Sequence, residues 1–240
     1  KGKAEGVEKE KPTQLFKNYA TFGVGNYGTF IGELFVNHDL NNTDYVGGMF
    51  RHHSSEGGIK NVALENRFFD TSLDLMYGSN QKDVSYNVDL GYQNQIYNWY
   101  GLPANFDSTL INGINPQQTY GTISLGGNVT LNESILNKAS LKYNHFSDAS
   151  GSSENRFYAK PTVEFDVMDS AVKTNIIVDY VGGSFKNNYL NTNTTRVKYG
   201  FTNFGIIPSF VMQEDDWTLN IGAGLFYSLD TENSNNKFLV

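Results

Sequence analysis

A chain of 240 residues with no cysteine and a net charge of -7 suits one barrel, one large all-β domain or two small domains, and excludes disulfide frameworks and thiolate metal centres. Its 25 acidic residues against 18 Lys and Arg argue against nucleic acid, whose phosphates need clustered cations. No apolar run reaches the ~20 residues of a transmembrane helix, yet the negative mean hydropathy leaves a membrane barrel open, because only alternate strand residues meet lipid.

Residues 1–16 are polar, begin without Met and lack the apolar core of a signal peptide, so they read as a linker or the end of an upstream domain. Residues 17–240 read as strands. Because Phe238-Leu239-Val240 starts an apolar stretch, the expectation is a fragment of a longer protein.

Along the chain the leading signal is two-residue alternation, the period of a strand with two unlike faces. Weak versions cover 18–25, 29–39, 44–53 and 67–78. The clearest places Val84, Tyr86, Val88, Leu90 and Tyr92 opposite Ser85, Asn87, Asp89, Gly91 and Gln93. Ile123, Leu125, Val129 and Leu131 then alternate with Thr122, Ser124, Asn128 and Thr130. A weak segment at 137–147 precedes Phe157 to Val167 and Val172 to Tyr180, and a weak one at 195–212 precedes Leu219 to Tyr227. The sum is 11–12 strands of the length a tilted membrane strand needs. The polar face is rich in Asn, Ser, Thr and Gly with charges of both signs, which suits a hydrated lumen, and the apolar face of the clear strands carries no charge. A charge there would cost ~2–4 kcal/mol at the bilayer midplane. A soluble core excludes charge too, so a soluble β-rich protein stays open at this point.

Connections add a second pattern. Short turns (Asn41–Thr43, Gln81–Asp83, Asn132–Leu136, Met168–Ser170, Gln213–Asp216) alternate with longer polar loops (Ser54–Asn66, Trp99–Gln117, Ser147–Glu154, Ser184–Thr194, Asp230–Asn236). An all-β, antiparallel up-and-down transmembrane β-barrel gives that order, and a Greek-key sandwich does not. Tyr97, Trp99, Tyr100, Trp217 and Tyr227 lie near strand ends and are candidates for the aromatic girdles at membrane interfaces; ordinary β-propensity is the other explanation.

Chemical motifs are sparse. Gly23-Val24-Gly25-Asn26-Tyr27-Gly28 spells a dinucleotide fingerprint, but a strand follows where a helix is required, so a tight hairpin is expected. His52 and His53 are neighbours on a strand and must point to opposite faces, which defeats a shared metal. The oxygens of Asp148–Glu154 lack the order of an EF-hand loop, and Glu214-Asp215-Asp216 reads as a solvated turn. No nucleophile–base arrangement stands out, so no enzyme, cofactor or metal is expected. By parity Asp74, Asp89, Lys142, Lys160, Glu164, Asp166, Lys173, Asp179 and Lys198 face the lumen, where they either set the field felt by a solute or hold the interior together. Pro161, mid-strand on the apolar face, suggests a bulge or an edge.

The stretch Tyr19-Ala-Thr-Phe-Gly-Val-Gly-Asn-Tyr-Gly-Thr-Phe-Ile-Gly-Glu-Leu-Phe-Val-Asn-His38 resembles the barrel start of TonB-dependent receptor-like outer-membrane proteins of Bacteroidetes. Leu90-Gly-Tyr-Gln-Asn-Gln-Ile-Tyr-Asn-Trp-Tyr-Gly-Leu-Pro103 is similar to a strand entering an outer loop in that group, and Asn235–Val240 to a strand start. The resemblance implies a barrel of about 22 strands, of which this chain holds about half. It also implies an outer-membrane location, lipid as a partner, and TonB acting through a plug domain outside this chain. The expected function is a transporter or receptor barrel for uptake of a small solute of unidentified chemistry. A passive porin or structural barrel is the first alternative, and a soluble glycan-binding protein the second.

Overall fold

The computed structural model describes residues 16–103, 106–167, 170–185, 196–214, 216–232 and 236–239. All of the expected linker 1–16 but Phe16, the Met168-Asp169 turn and most of the 184–194 loop lie outside the described residues. The fold is all-β. In chain order the strands are β1 (Tyr19–Gly25), β2 (Thr29–Asp39), β3 (Asp44–Ser55), β4 (Phe68–Asn80), β5 (Val84–Asn98), β6 (Gln117–Leu131) and β7 (Leu136–Asp148). They continue with β8 (Ser153–Val167), β9 (Ser170–Phe185), β10 (Val197–Glu214), β11 (Trp217–Gly222), β12 (Leu225–Asp230) and β13 (Asn236–Leu239). Sequence neighbours pair antiparallel in one up-and-down sheet, except that β11 and β12 both pair with β10.

β11 and β12 are two halves of one strand. Ser209 pairs with Gly222 and Ile206 with Leu225, so the offset against β10 carries through Ala223-Gly224 unchanged. The break faces Pro208, whose carbonyl still accepts from the Ala223 amide at 3.2 Å but which has no N–H to return. Twelve strands therefore cross the sheet. It is not closed: β1 pairs with β2 and β13 with β12, and the two do not pair with each other.

Pro161 causes a second gap, not an edge. β8 is flanked by β7 and β9, and its ladder to β9 stops at Ala159–Val178 and resumes at Thr162–Asn175 without a change of offset. The bulge lies close by in β7, between Leu136 and Lys138. The glycine-rich motif is the β1–β2 hairpin, with Tyr27 and Gly28 both left-handed (φ 63° and 65°) and no helix after it. In the short β2–β3 turn, Asn41 accepts from the Thr43 and Asp44 amides at 2.8 and 2.9 Å, an Asx turn that fixes a tight reversal.

Directly paired residues share a face of the sheet, so the register defines rows across it. One row reads Leu75, Leu90, Leu125, Tyr143, Phe157, Tyr180. Two rows nearer the long connections the same face reads Thr71, Asn94, Gly121, Ser147, Ser153, Ser184, Lys198. The apolar face thus ends on a polar border. On β5 its apolar positions run from Val84 to Tyr92, nine residues, or about 27 Å along the strand. Among the strand residues whose side chains are described, formal charge falls on this face at Asp44 and Lys198, each within two residues of a strand end.

Among the described residues nothing covers that face. Among the described residues the buried hydrophobic side chain is Leu64, in the β3–β4 connection, while Leu90, Leu125, Leu141 and Ile206 are about half exposed. The described residues form a single layer, with no second sheet among them to make a sandwich core.

Candidate functional site on the polar face

The opposite face carries the hydrophilic residues, and they are organised. In β3 and β4, Arg51 pairs with Asp74 at 2.9 Å and donates to Ser72 at 3.2 Å. One row along, Asp70 accepts from the amides of Gln93 and Gln95, both at 2.9 Å, and from the Tyr97 hydroxyl at 3.4 Å. Tyr97 stacks on Phe68 (centroids 6.3 Å apart), and His53 meets Phe68 edge-on at 4.9 Å. Of these, Arg51, His53, Asp70, Ser72, Asp74 and Gln93 border a concavity of about 540 Å³ that reaches from Glu33 on β2 to Thr122 and Ser124 on β6. A hollow shared by five adjacent strands requires the polar face to curve inward.

Glycines keep this surface open. Gly91 stands between Asp74 and Ser124 in the register, and a Cβ there would collide with the Ser124 hydroxyl. Gly126 stands between Asp89 on β5 and Lys142 on β7, and a Cβ there would strike the Asp89 carboxylate. β6 itself presents Thr122, Ser124, Gly126, Asn128 and Thr130, with no charge. Beyond it a second concavity of about 280 Å³ is bordered by Lys142, Asn144, Arg156 and Tyr158. Arg156 is held by Asp179 in a two-pronged contact, 2.9 Å at Nε and 2.8 Å at Nη2. Lys173 meets Glu164 at 3.3 Å.

Of the charged residues expected on this face, Asp74, Asp89, Lys142, Lys160, Glu164, Asp166, Lys173 and Asp179 fall there by register. Lys198 does not. It pairs with Ser184 and shares the face of Gly200, Thr202 and Phe204, in the polar border row. Asp74, Asp179, Glu164 and Lys173 belong to ion pairs; among the described residues Asp89 meets the Asn87 amide at 3.5 Å and no cation. His52 and His53 do face opposite ways, with His52 on the apolar side against Thr71 (2.7 Å) and Ser54 (3.0 Å). Arg51, Asp70 and Arg156 were not singled out, although each has the parity of a residue that was.

The girdle candidates divide. Trp217 and Tyr227 lie on the apolar face, in line with Leu219 and Leu225. Tyr97 lies on the polar face, since it pairs with Phe68 and bonds Asp70, so it is no girdle residue. Trp99 and Tyr100 follow the end of β5 and belong to its connection to β6. The rings at the edges of the apolar band are others: Tyr77 and Tyr86 near the short turns, 6.1 Å apart, and Tyr92, Tyr143, Phe157 and Tyr180 near the long connections.

Among the described residues no three His, Asp or Glu approach a metal-binding group, and no helix is long and apolar enough to cross a membrane. Comparison with family models gives no match, and comparison with curated proteins gives none. The geometry alone carries the functional reading.

Proposed function

We propose that this chain is wall of an outer-membrane β-barrel that takes up a small hydrophilic solute, with TonB-linked transport as the form that the family resemblance suggests. The observation that carries the reading is the pairing of an uncovered apolar face with an inward-curving polar one on the same single-layer sheet. In water that apolar face is untenable. Burial of apolar surface yields roughly 25 cal/mol per Å², and soluble monomers rarely leave contiguous patches beyond a few hundred Å². Hydrocarbon removes the problem, because strands need no apolar partner layer when lipid supplies it. The nine-residue band, its polar border and its flanking tyrosines match the dimensions and chemistry of a bilayer crossing.

The direct test is membrane partition. The protein is expected to fractionate with outer membranes, to resist extraction by high salt or carbonate, and to need detergent to remain monodisperse. A preparation that stays monomeric and folded without detergent sinks the proposal. Solute flux through reconstituted protein then separates an open pore from a gated transporter.

A further inference from the structure

The polar face is not uniform around its arc. β2 to β5 place Glu33, Asp39, Asp70, Asp74 and Asp89 on it against Arg51 alone. β6 is neutral, and β7 with β8 then bring Lys142, Arg156 and Lys160 in their middle rows and Lys138 nearer the short turns, while their acids, Asp148, Glu154, Glu164 and Asp166, lie toward the strand ends. The two hollows fall on either side of this divide and nearly meet, since Ser124 of the first pairs with Asn144 of the second.

We propose that this divide is a binding site for a zwitterionic solute of short-peptide size, its ammonium held on the acidic side and its carboxylate on the basic side. The inference rests on the solute-uptake reading above. Asp89 and Lys142 are its anchors. They occupy one register row with Gly126 between them, so no side chain separates them. Neither has an ion-pair partner among the described residues, whereas Arg51, Arg156 and Lys173 are each already matched to a carboxylate. Two strand spacings set the anchors' backbones roughly 10 Å apart, a gap the two side chains could span but do not close in this structure, which leaves both charges open to an extended ligand of a few residues. A lone carboxylate or a lone amine would satisfy one side only. A neutral sugar would satisfy neither charge.

The test uses the whole chain refolded in detergent micelles, with triglycine as probe and N-acetyl-triglycine amide as its uncharged counterpart, read by titration calorimetry at low ionic strength. Triglycine is expected to bind and the blocked peptide not to. Asp89→Lys and Lys142→Asp are each expected to weaken triglycine binding by about fivefold or more, the scale of one solvent-exposed charge pair. The double exchange is expected to restore it, because the peptide can lie the other way round. Gly126→Leu, which fills the gap and leaves both charges, is expected to weaken binding as well. Equal binding of the two peptides, or single exchanges without effect, overturns the proposal. A run in which the protein inserts into lipid vesicles but ignores triglycine defeats the ligand assignment and leaves the membrane reading standing. Failure to insert at all defeats the membrane reading, and the site with it.

Discussion

β3 to β6 and β9 to β12 belong to the same sheet but keep their two faces apart to different degrees. On β5 and β6 the alternation is strict: Leu90 and Leu125 look one way, Asp89, Gly91, Ser124 and Gly126 the other. On β9 and β10 apolar residues stand on both faces. Ile176, Val178, Phe204 and Ile206 share the outer one, while Ile177, Val181, Phe201 and Ile207 share the side that is polar elsewhere. Phe226 of β12 extends that greasy inner patch, its ring 2.7 Å from where a Cβ on Gly205 would sit. On the proposed barrel reading, strict alternation marks a ribbon between two solvents, lipid and water. Its loss marks a ribbon whose inner side is only partly hydrated.

Charge scanning breaks or sharpens that contrast most forcefully. On the proposed lipid contact, Leu125→Arg is expected to cost ~2–4 kcal/mol and the adjacent Ser124→Arg under ~1 kcal/mol. Ile206→Arg is expected to match Leu125→Arg, while Ile207→Arg falls between, because its side of β10 is neither lipid nor open water. Guanidinium unfolding of the reconstituted protein measures all four. Equal costs at positions 124 and 125 would remove the distinction between the faces altogether.

The same contrast decides what the sequence alone could reveal. The two-residue period of β5 and β6 identified the sheet, its faces and the polar residues on them, because each step changes face. β10 offers no such anchor. With Ile206-Ile207 and Phe210-Val211 side by side, parity has no reference, and Lys198 was placed on the wrong face. Tyr97 failed for another reason. Proximity to a strand end says nothing about direction, while its parity with Gln93 and Gln95 already pointed to the polar side. Asp70, Arg51 and Arg156 were legible by the same count. What no single strand could show is the offset between strands. That Gly126 stands between Asp89 and Lys142 depends on how β5, β6 and β7 pair, and the hollows depend on curvature.

A smaller effect separates the two regions' ion pairs. Arg156 grips Asp179 with two nitrogens, and that carboxylate is only 20% exposed; Arg51 reaches Asp74 through one nitrogen, and both side chains are about half exposed. Solvent screening discounts the second more heavily. Arg156→Gln is therefore expected to destabilise by about 1 kcal/mol and Arg51→Gln by about half that or less. Thermal unfolding at low and high salt checks the order, and the gap should narrow as salt rises.

The smallest effect contrasts strands with connections and concerns Asp107, between β5 and β6. Its carboxylate accepts from the Thr109 amide at 2.9 Å and the Thr109 hydroxyl at 2.8 Å, capping the short 3-10 helix Ser108–Gly113. The amide bond, then the hydroxyl bond, hold its pKa below the ordinary carboxylate value. A depressed pKa means the ionised form is the one the fold favours. The cap's contribution is therefore complete above the unfolded-chain value and disappears as pH falls through the lower folded one. Acid should loosen residues 106–114 and leave the β5–β6 ladder intact, because its backbone bonds do not titrate. Amide exchange at Thr109 is expected to quicken at low pH in the native protein. In Asp107→Asn, where the amide oxygen still caps but cannot be protonated in this range, that acid-dependent step should vanish. If β5 and β6 amides quicken together with Thr109, the loop and the wall are one cooperative unit, and the separation drawn here between them is wrong.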